Sequence, residues 1–300
     1  MKKLIGLLFL ATSLSCIAQH QVTIPVVSTF VTGGGGTTYD TDAQAFFTAA
    51  AITDNTQKSA VNQLVLDLKS NNLWAKMQAI YPFVGGTASS NKWNLKDPRD
   101  LDAAFRITWT GTITHDANGW QGGDVNALGY GDTHFIPSAN YTSIDNSHFS
   151  IYIRTNSSTT RRDFGVVVTS GSLLSVIDLW SRYTDNTAYA DFVSNSIFPN
   201  MISTDSATSL GQYLLTRTSS SLLTYYKNAA SIATAGASTS TNGVPNISFF
   251  IGGCNTDGTS GLSTLRQYAF TSIGTGLTST EAANLYTIVQ AFQTTLSRQV

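Results

Sequence analysis

The chain has 300 residues, 42% of them hydrophobic, which is enough for one large domain or two smaller ones to bury a core. Charged residues make up only 12%, against roughly 25% in ordinary globular chains, and the formal net charge is −1. A neutral surface rich in Ser, Thr, Asn and Gly cannot neutralise a phosphate backbone. It therefore excludes nucleic acid as a partner and suits an extracellular binder better than a cytosolic enzyme.

Residues 1–18 read as a secretory leader. Lys2 and Lys3 form its positive end, Leu4 to Leu14 its apolar run, and Cys16-Ile17-Ala18 a small-x-small cleavage site. The apolar run is shorter than the about 20 residues that cross a bilayer, so no membrane span is expected. Cys16 offers an alternative as a lipid-anchored first residue, although Leu14 stands one position off the usual lipobox. Removal of the leader leaves Cys254 as the single thiol, so packing rather than a disulfide must hold the fold.

Residues 19–39 begin as an extended arm, Val22 to Val27, and end in the four glycines Gly33 to Gly36, a flexible joint. No Gly-Lys-Ser/Thr follows, so this is not a phosphate loop. Residues 40–83 turn helical. Ala43, Phe46, Phe47 and Ala50 recur at helical spacing, and Asp54 with Gln57 reads as a capping pair. That pair opens a second helix with a Val61, Leu64, Val65, Leu68 stripe, and Leu73, Met77 and Ile80 extend the helical spacing in a shorter turn.

From Lys92 the period becomes two. Phe105, Ile107 and Trp109 alternate with polar neighbours, as do Phe149, Ile151 and Ile153. Further strand-like runs lie at Phe164–Val168, Leu173–Leu179, Gln212–Arg217, Leu222–Lys227, Ile247–Ile251 and Gln267–Ser272. Short strands between Gly/Asn/Ser clusters, with no interleaved helices, predict an antiparallel two-sheet sandwich. Thr278-Ser279-Thr280-Glu281 is a capping box that opens a closing helix over 279–298, with Ala282, Leu285, Val289, Phe292 and Leu296 on its apolar stripe.

The run from Tyr225-Tyr226-Lys227-Asn228 through Pro245 to Gly252, Arg266 to Gly274 and Leu277 to Tyr286 resembles the closing half of a concanavalin A-like, laminin-G-type jelly roll. Together with Tyr81 to Gly86 and Trp93 to Pro98, the wider chain is similar to lectin-like domains of phage tail or fibre proteins and secreted bacterial surface proteins. The resemblance implies a mainly β jelly-roll sandwich over 84–300, closed by the C-terminal helix, with the small N-terminal helical segment packed on it. It also implies carbohydrate as the ligand. One departure stands out. Lys227-Asn228-Ala229 replaces the Asn-Gly that the family favours in a tight type I′ turn, so a longer or differently shaped loop is expected there.

Glycoside hydrolysis wants two carboxylates flanking the scissile bond, which the related hydrolases supply as alternating glutamates. This chain has one glutamate, Glu281, already used in the capping box; among the seventeen aspartates, Asp116, Asp124 and Asp132 are the least unsuitable candidates. No Gly-x-Ser-x-Gly elbow occurs, and Cys254 reads as a buried structural thiol. His115, His134 and His148 match no zinc spacing. Calcium is possible at Asp97, Asp100 and Asp102 or at Asp116, Asn118, Asp124 and Asn126, but turn chemistry and a salt bridge to Arg99 explain the same residues. No cofactor is otherwise expected.

A sugar site needs an aromatic face and a few fixed polar groups. Asp116, Asn118, Trp120, Tyr130 and Asp132 have that composition in a glycine-rich stretch, with Trp120 either stacking on ligand or folding back onto the sandwich edge. The expectation is a secreted, non-catalytic module that recognises glycans or attaches to surfaces. The alternatives are a fibre-like assembly protein, in which the arm 19–39 could exchange between subunits of a homo-oligomer, and a glycoside hydrolase.

Overall fold

Alternating apolar residues build two sheets in the computed structural model, which describes residues 38–122, 129–170, 173–195, 202–236, 243–260 and 264–300. The leader with Cys16, residues 19–37 of the arm with its glycines, Asp124 and Asn126 lie outside the described residues. Helices α1 (Thr41–Ala49) and α2 (Asn55–Ser70) come first, then β1 (Met77–Tyr81) and the single-turn α3 (Ala88–Asn91). Next are β2 (Thr108–Gly111), β3 (Ile113–Asp116), β4 (Gly119–Gly122), β5 (Gly129–Asp132), the short α4 (Pro137–Asn140) and β6 (Ser147–Ile153). The middle holds β7 (Phe164–Ser170), β8 (Leu173–Trp180), β9 (Thr187–Ser194), β10 (Ile202–Asp205), β11 (Gly211–Ser219), β12 (Leu222–Lys227) and β13 (Ala230–Ala235). Last come β14 (Phe250–Ile251), β15 (Asn255–Thr256), β16 (Thr259–Ser260), β17 (Gln267–Gly274) and α5 (Ser279–Thr295).

The first sheet runs β13-β12-β11-β6-β17-β4-β3, with β1 also on β17; the second runs β10-β9-β8-β7-β14-β5-β2, with the β15–β16 hairpin against β7. All pairings are antiparallel except β15 with β7. The protein is thus a mainly β, two-sheet sandwich with a C-terminal helix. Its central core lies between the sheets, where Phe149, Ile151, Tyr213 and Tyr268 of the first meet Phe164, Val166, Ile177 and Leu179 of the second. A second core lies on the other side of the first sheet. There Tyr152, Leu214 and Phe270 meet Phe46 of α1, Leu64 and Leu68 of α2, and Leu285, Val289 and Phe292 of α5. The apolar stripes read from the sequence are the faces that make this layer.

Three local readings change. Met77–Tyr81 is a strand rather than a helical turn: a bulge between Met77 and Ala79 breaks the period of two, so Met77 and Ile80 face the helices while Ala79 and Tyr81 enter the central core. The resulting spacing of three imitates a helix. Asp54 caps α2 by accepting from the Gln57 amide at 2.8 Å, but the Gln57 side chain accepts from Gly85 N instead of reaching back. Third, the turn after Tyr226 keeps its tight form. Lys227 pairs with Ala230, and Asn228 and Ala229 both sit at positive φ, 48° and 67°, as a type I′ turn requires. Asn228 compensates by exchanging bonds with Gln212, whose amide reaches Asn228 Oδ1 at 2.8 Å.

The runs Phe164–Val168, Leu173–Leu179, Gln212–Arg217, Leu222–Lys227 and Gln267–Ser272 lie within β7, β8, β11, β12 and β17, whereas Ile247–Ile251 is a strand only at Phe250–Ile251. Phe105 ends a 3-10 turn at φ 60°, so β2 starts only at Thr108. The Thr278–Glu281 capping box forms reciprocally, with Thr278 N donating to Glu281 Oε2 at 2.9 Å and Lys76 pairing with Oε1 at 2.6 Å. The helix stops at Thr295, short of the expected 298.

Candidate functional site

The five residues singled out from the sequence do not converge. The β3–β4 hairpin carries Asp116, Asn118 and Trp120 in the first sheet, while β5 carries Tyr130 and Asp132 in the second. Gly119, at φ 119°, makes the hairpin possible: a Cβ there would stand 2.0 Å from the Tyr268 carbonyl oxygen. Asp116 Oδ1 accepts from the Asn118 amide at 2.7 Å, and both Asp116 oxygens accept from Gln267 Nε2 at 3.1 Å. The carboxylate is held by its own chain.

Of the two readings for Trp120, the indole folds back into the sandwich and does not face a ligand. It is fully buried, with ring centroids 4.8 Å from Trp109, 5.0 Å from Tyr268 and 6.2 Å from Phe83. The glycines around it do not leave it bare, because Trp109 and Phe83 reach it from distant parts of the chain. Sequence proximity could not show that. The turn next to it does border a cavity of about 230 Å³, lined by Ala117, Asp54, Gln57, Val84, Leu296 and Ser297 among others. None of its lining residues is aromatic.

Tyr130 and Asp132 sit differently. They alternate with Gly129 and Gly131 on β5 and point away from the central core, on the outer face of the second sheet. The Tyr130 ring stacks on Phe250 of β14, centroids 4.2 Å apart and planes 18° from parallel. Thr110 stands opposite Tyr130, and Thr108 and Phe250 stand opposite Asp132 on either side. Asp132 Oδ1 accepts from His134 N at 2.9 Å, and His134 Nε2 meets Thr108 Oγ1 at 2.8 Å. Tyr130 is thus a half-buried ring over a buried Phe250, with hydroxyls, an imidazole and a carboxylate around it. No described helix covers this face, whereas the outer face of the first sheet is under α1, α2 and α5.

The other candidate constellations resolve into structure. Asp97 pairs with Arg99 at 2.5 Å, Asp100 with Lys92 and Arg106 at 3.0 and 2.9 Å, and Asp102 with Arg106 at 2.8 Å. His115 and His148 are pushed down to about 4 by burial; His148 bridges the Thr275 carbonyl at 2.6 Å and Ser272 Oγ at 3.2 Å. Among the described residues no group of three metal-ligating side chains comes together. Cys254 is buried against Val167 and Val176, its thiol pushed up to about 12 by burial.

Two features escaped the sequence reading. Arg298 is fully buried and binds only uncharged oxygens: Pro82 O at 2.7 Å, Phe83 O at 2.8 Å, Ala269 O at 2.9 Å and Gln293 Oε1 at 2.5 Å. Asp178 and Asp191 face each other across β8 and β9, both nearly without solvent exposure. The sole signal for the second was a charge at an otherwise apolar strand position, in Ile177-Asp178-Leu179 and in Ala190-Asp191-Phe192.

No protein-family model and no curated protein matches the chain. Among solved structures it is similar to a mutant Trypanosoma rangeli sialidase displaying trans-sialidase activity, with 13% identity, TM-score 0.48, 76% of this chain and 39% of that one. It is also similar to domain 4 of AbnA, a GH43 extracellular arabinanase from Geobacillus stearothermophilus, in complex with arabinotriose, with 14% identity, TM-score 0.43, 70% of this chain and 98% of that one. The binding domain of botulinum neurotoxin DC in complex with rat synaptotagmin II gives 10% identity, TM-score 0.44, 72% of this chain and 52% of that one. This chain spans well under half the length of the sialidase. At these identities and TM-scores the likenesses assign neither ligand nor activity.

Proposed function

We propose that this protein is a secreted, non-catalytic carbohydrate-recognition module of concanavalin A-like type, and that the outer face of its second sheet around Tyr130 holds the glycan. One observation carries the reading: the sheet face without a described helix presents an aromatic plate, Tyr130 on Phe250, ringed in register by Thr108, Thr110 and Asp132. A flat ring accepts the C–H face of a sugar, and fixed hydroxyl and carboxylate oxygens pair with its hydroxyls. The low charge of the surface suits a neutral ligand, and the leader-like start of the chain suits secretion.

A non-catalytic role is supported by the positions of the acids. Asp116 and Asp132 belong to different sheets, and Asp178 and Asp191, though they face each other, are 0% and 1% exposed, where no glycosidic bond could reach them. The test is a glycan array, with and without chelator, on the protein lacking residues 1–18, alongside a reducing-end release assay and gel filtration. Binding without release is expected. Release of reducing ends would favour the hydrolase, and a stable trimer or larger with no glycan bound would favour an assembly protein.

A further inference from the structure

We infer that Asp178 and Asp191 hold a single proton between them in the folded protein, so that β8 and β9 are joined on the outer face of the second sheet by a carboxylic acid–carboxylate bond. The two are register partners on adjacent antiparallel strands, a placement that brings Cβ atoms to about 5 Å. They are 0% and 1% exposed. Arg162 reaches Asp178 Oδ2 through Nε at 2.6 Å, with its guanidinium 4.3 Å from the centre of the Trp180 ring. That single cation balances one carboxylate. Asp178 Oδ1 and both Asp191 oxygens have no partner in hydrogen-bond geometry, although the Asp191 amide and the Ser194 hydroxyl lie near enough to favour the anions.

Two buried charges of like sign with one counter-ion leave an unbalanced anion, and such a group neutralises by keeping its proton. Asp191 is the one that keeps it, because Arg162 pins Asp178 as the anion. The Asp191 hydroxyl then donates to Asp178 Oδ1, which removes two of the three orphaned oxygens at once. Burial, and next the neighbouring Asp178 carboxylate, push Asp191 up to about 8; burial also raises Asp178, against the pull of Arg162. Among the described residues the other titratable groups facing the pair are Arg162, before β7, and the Cys254 thiol, after β14. The thiol is neutral throughout this range, and Gly165 of β7, opposite Asp178, presents no side chain.

The pair is thus a pH-sensitive clasp. Below about pH 8 it ties β8 to β9; above it, two anions share one arginine and the strands lose that tie. The experiment compares unfolding of the parent and Asp191→Asn from pH 5 to 9. Asparagine keeps the shape and carries no charge. The ratio of the parent's folding constant to the variant's should fall about tenfold per pH unit up to about pH 8 and then level off. A ratio that stays constant across the range would overturn the proposal. In the parent alone, infrared spectroscopy should show a buried carboxyl C=O stretch at pH 6 that disappears through pH 8; a spectrum without it at pH 6 would overturn the proposal even if the variant does not fold. Stabilisation of the parent, but not of Asp191→Asn, by calcium chloride would also overturn it, since a cation would then occupy the place given to the proton.

Discussion

Trp120→Ala separates core from ligand site most sharply. The indole is fully buried between Trp109, Tyr268 and Phe83, and a Cβ on Gly252 would stand 2.4 Å from its Cη2 atom, so the space has no slack. Large-to-small changes at such aromatic sites cost about 3–5 kcal/mol, the transfer of the ring plus the cavity left behind. At this chain length each kcal/mol moves Tm by about 2–4 °C, so a fall on the order of 10 °C is expected by calorimetry. Trp120→Phe should lose about 1–2 kcal/mol, because the indole N–H it removes has no hydrogen-bond partner. Melting within about 2 °C of the parent for Trp120→Ala would refute the packing argument and return the ring to the surface.

Other consequences are equally direct. Ala229→Gly should stabilise by about 0.5–1 kcal/mol in urea titrations, since alanine occupies φ 67° in the type I′ turn where glycine is unstrained. Arg298→Met should destabilise on the order of 3 kcal/mol by leaving the buried carbonyls of Pro82 and Phe83 without a donor, while Ala269 O keeps Gln293 Nε2 at 3.3 Å, measured as a lower urea midpoint. Stability should peak near pH 6.5. His148 and His115, held at about 4 by burial, stay neutral in the fold while their unfolded forms charge below about 6.5, so stability falls as pH drops from there. Asp191 works oppositely: raised to about 8 from about 3.9 unfolded, it takes away about 1.4 kcal/mol per unit as pH rises toward 8. Urea midpoints from pH 4.5 to 9 check both limbs, and Asp191→Asn should flatten the alkaline one.

Layered architecture was legible where one physical rule governed a segment. The alternation at Phe149–Ile153 and the stripe from Ala282 to Phe292 each point one face inward, and both elements formed as read. Met77–Tyr81 misled because a bulge imposes a spacing that belongs to helices. The turn at Asn228–Ala229 misled because tertiary contact, the Gln212 backbone, stabilises a conformation that alanine disfavours on its own. The site was half legible. Tyr130 and Asp132 share a face because their separation of two fixes it, whereas the fate of Trp120 depended on Phe83 and Trp109, which local composition could not place. The partnership of Asp178 with Asp191 needed strand register, a property of the folded sheet.

Tyr130 is the proposed glycan platform. Isothermal titration of the glycan selected by the array into Tyr130→Ala should show at least tenfold weaker binding than the parent, with Asp116→Asn binding as the parent does. Full affinity in Tyr130→Ala would contradict the account and move the site away from this face.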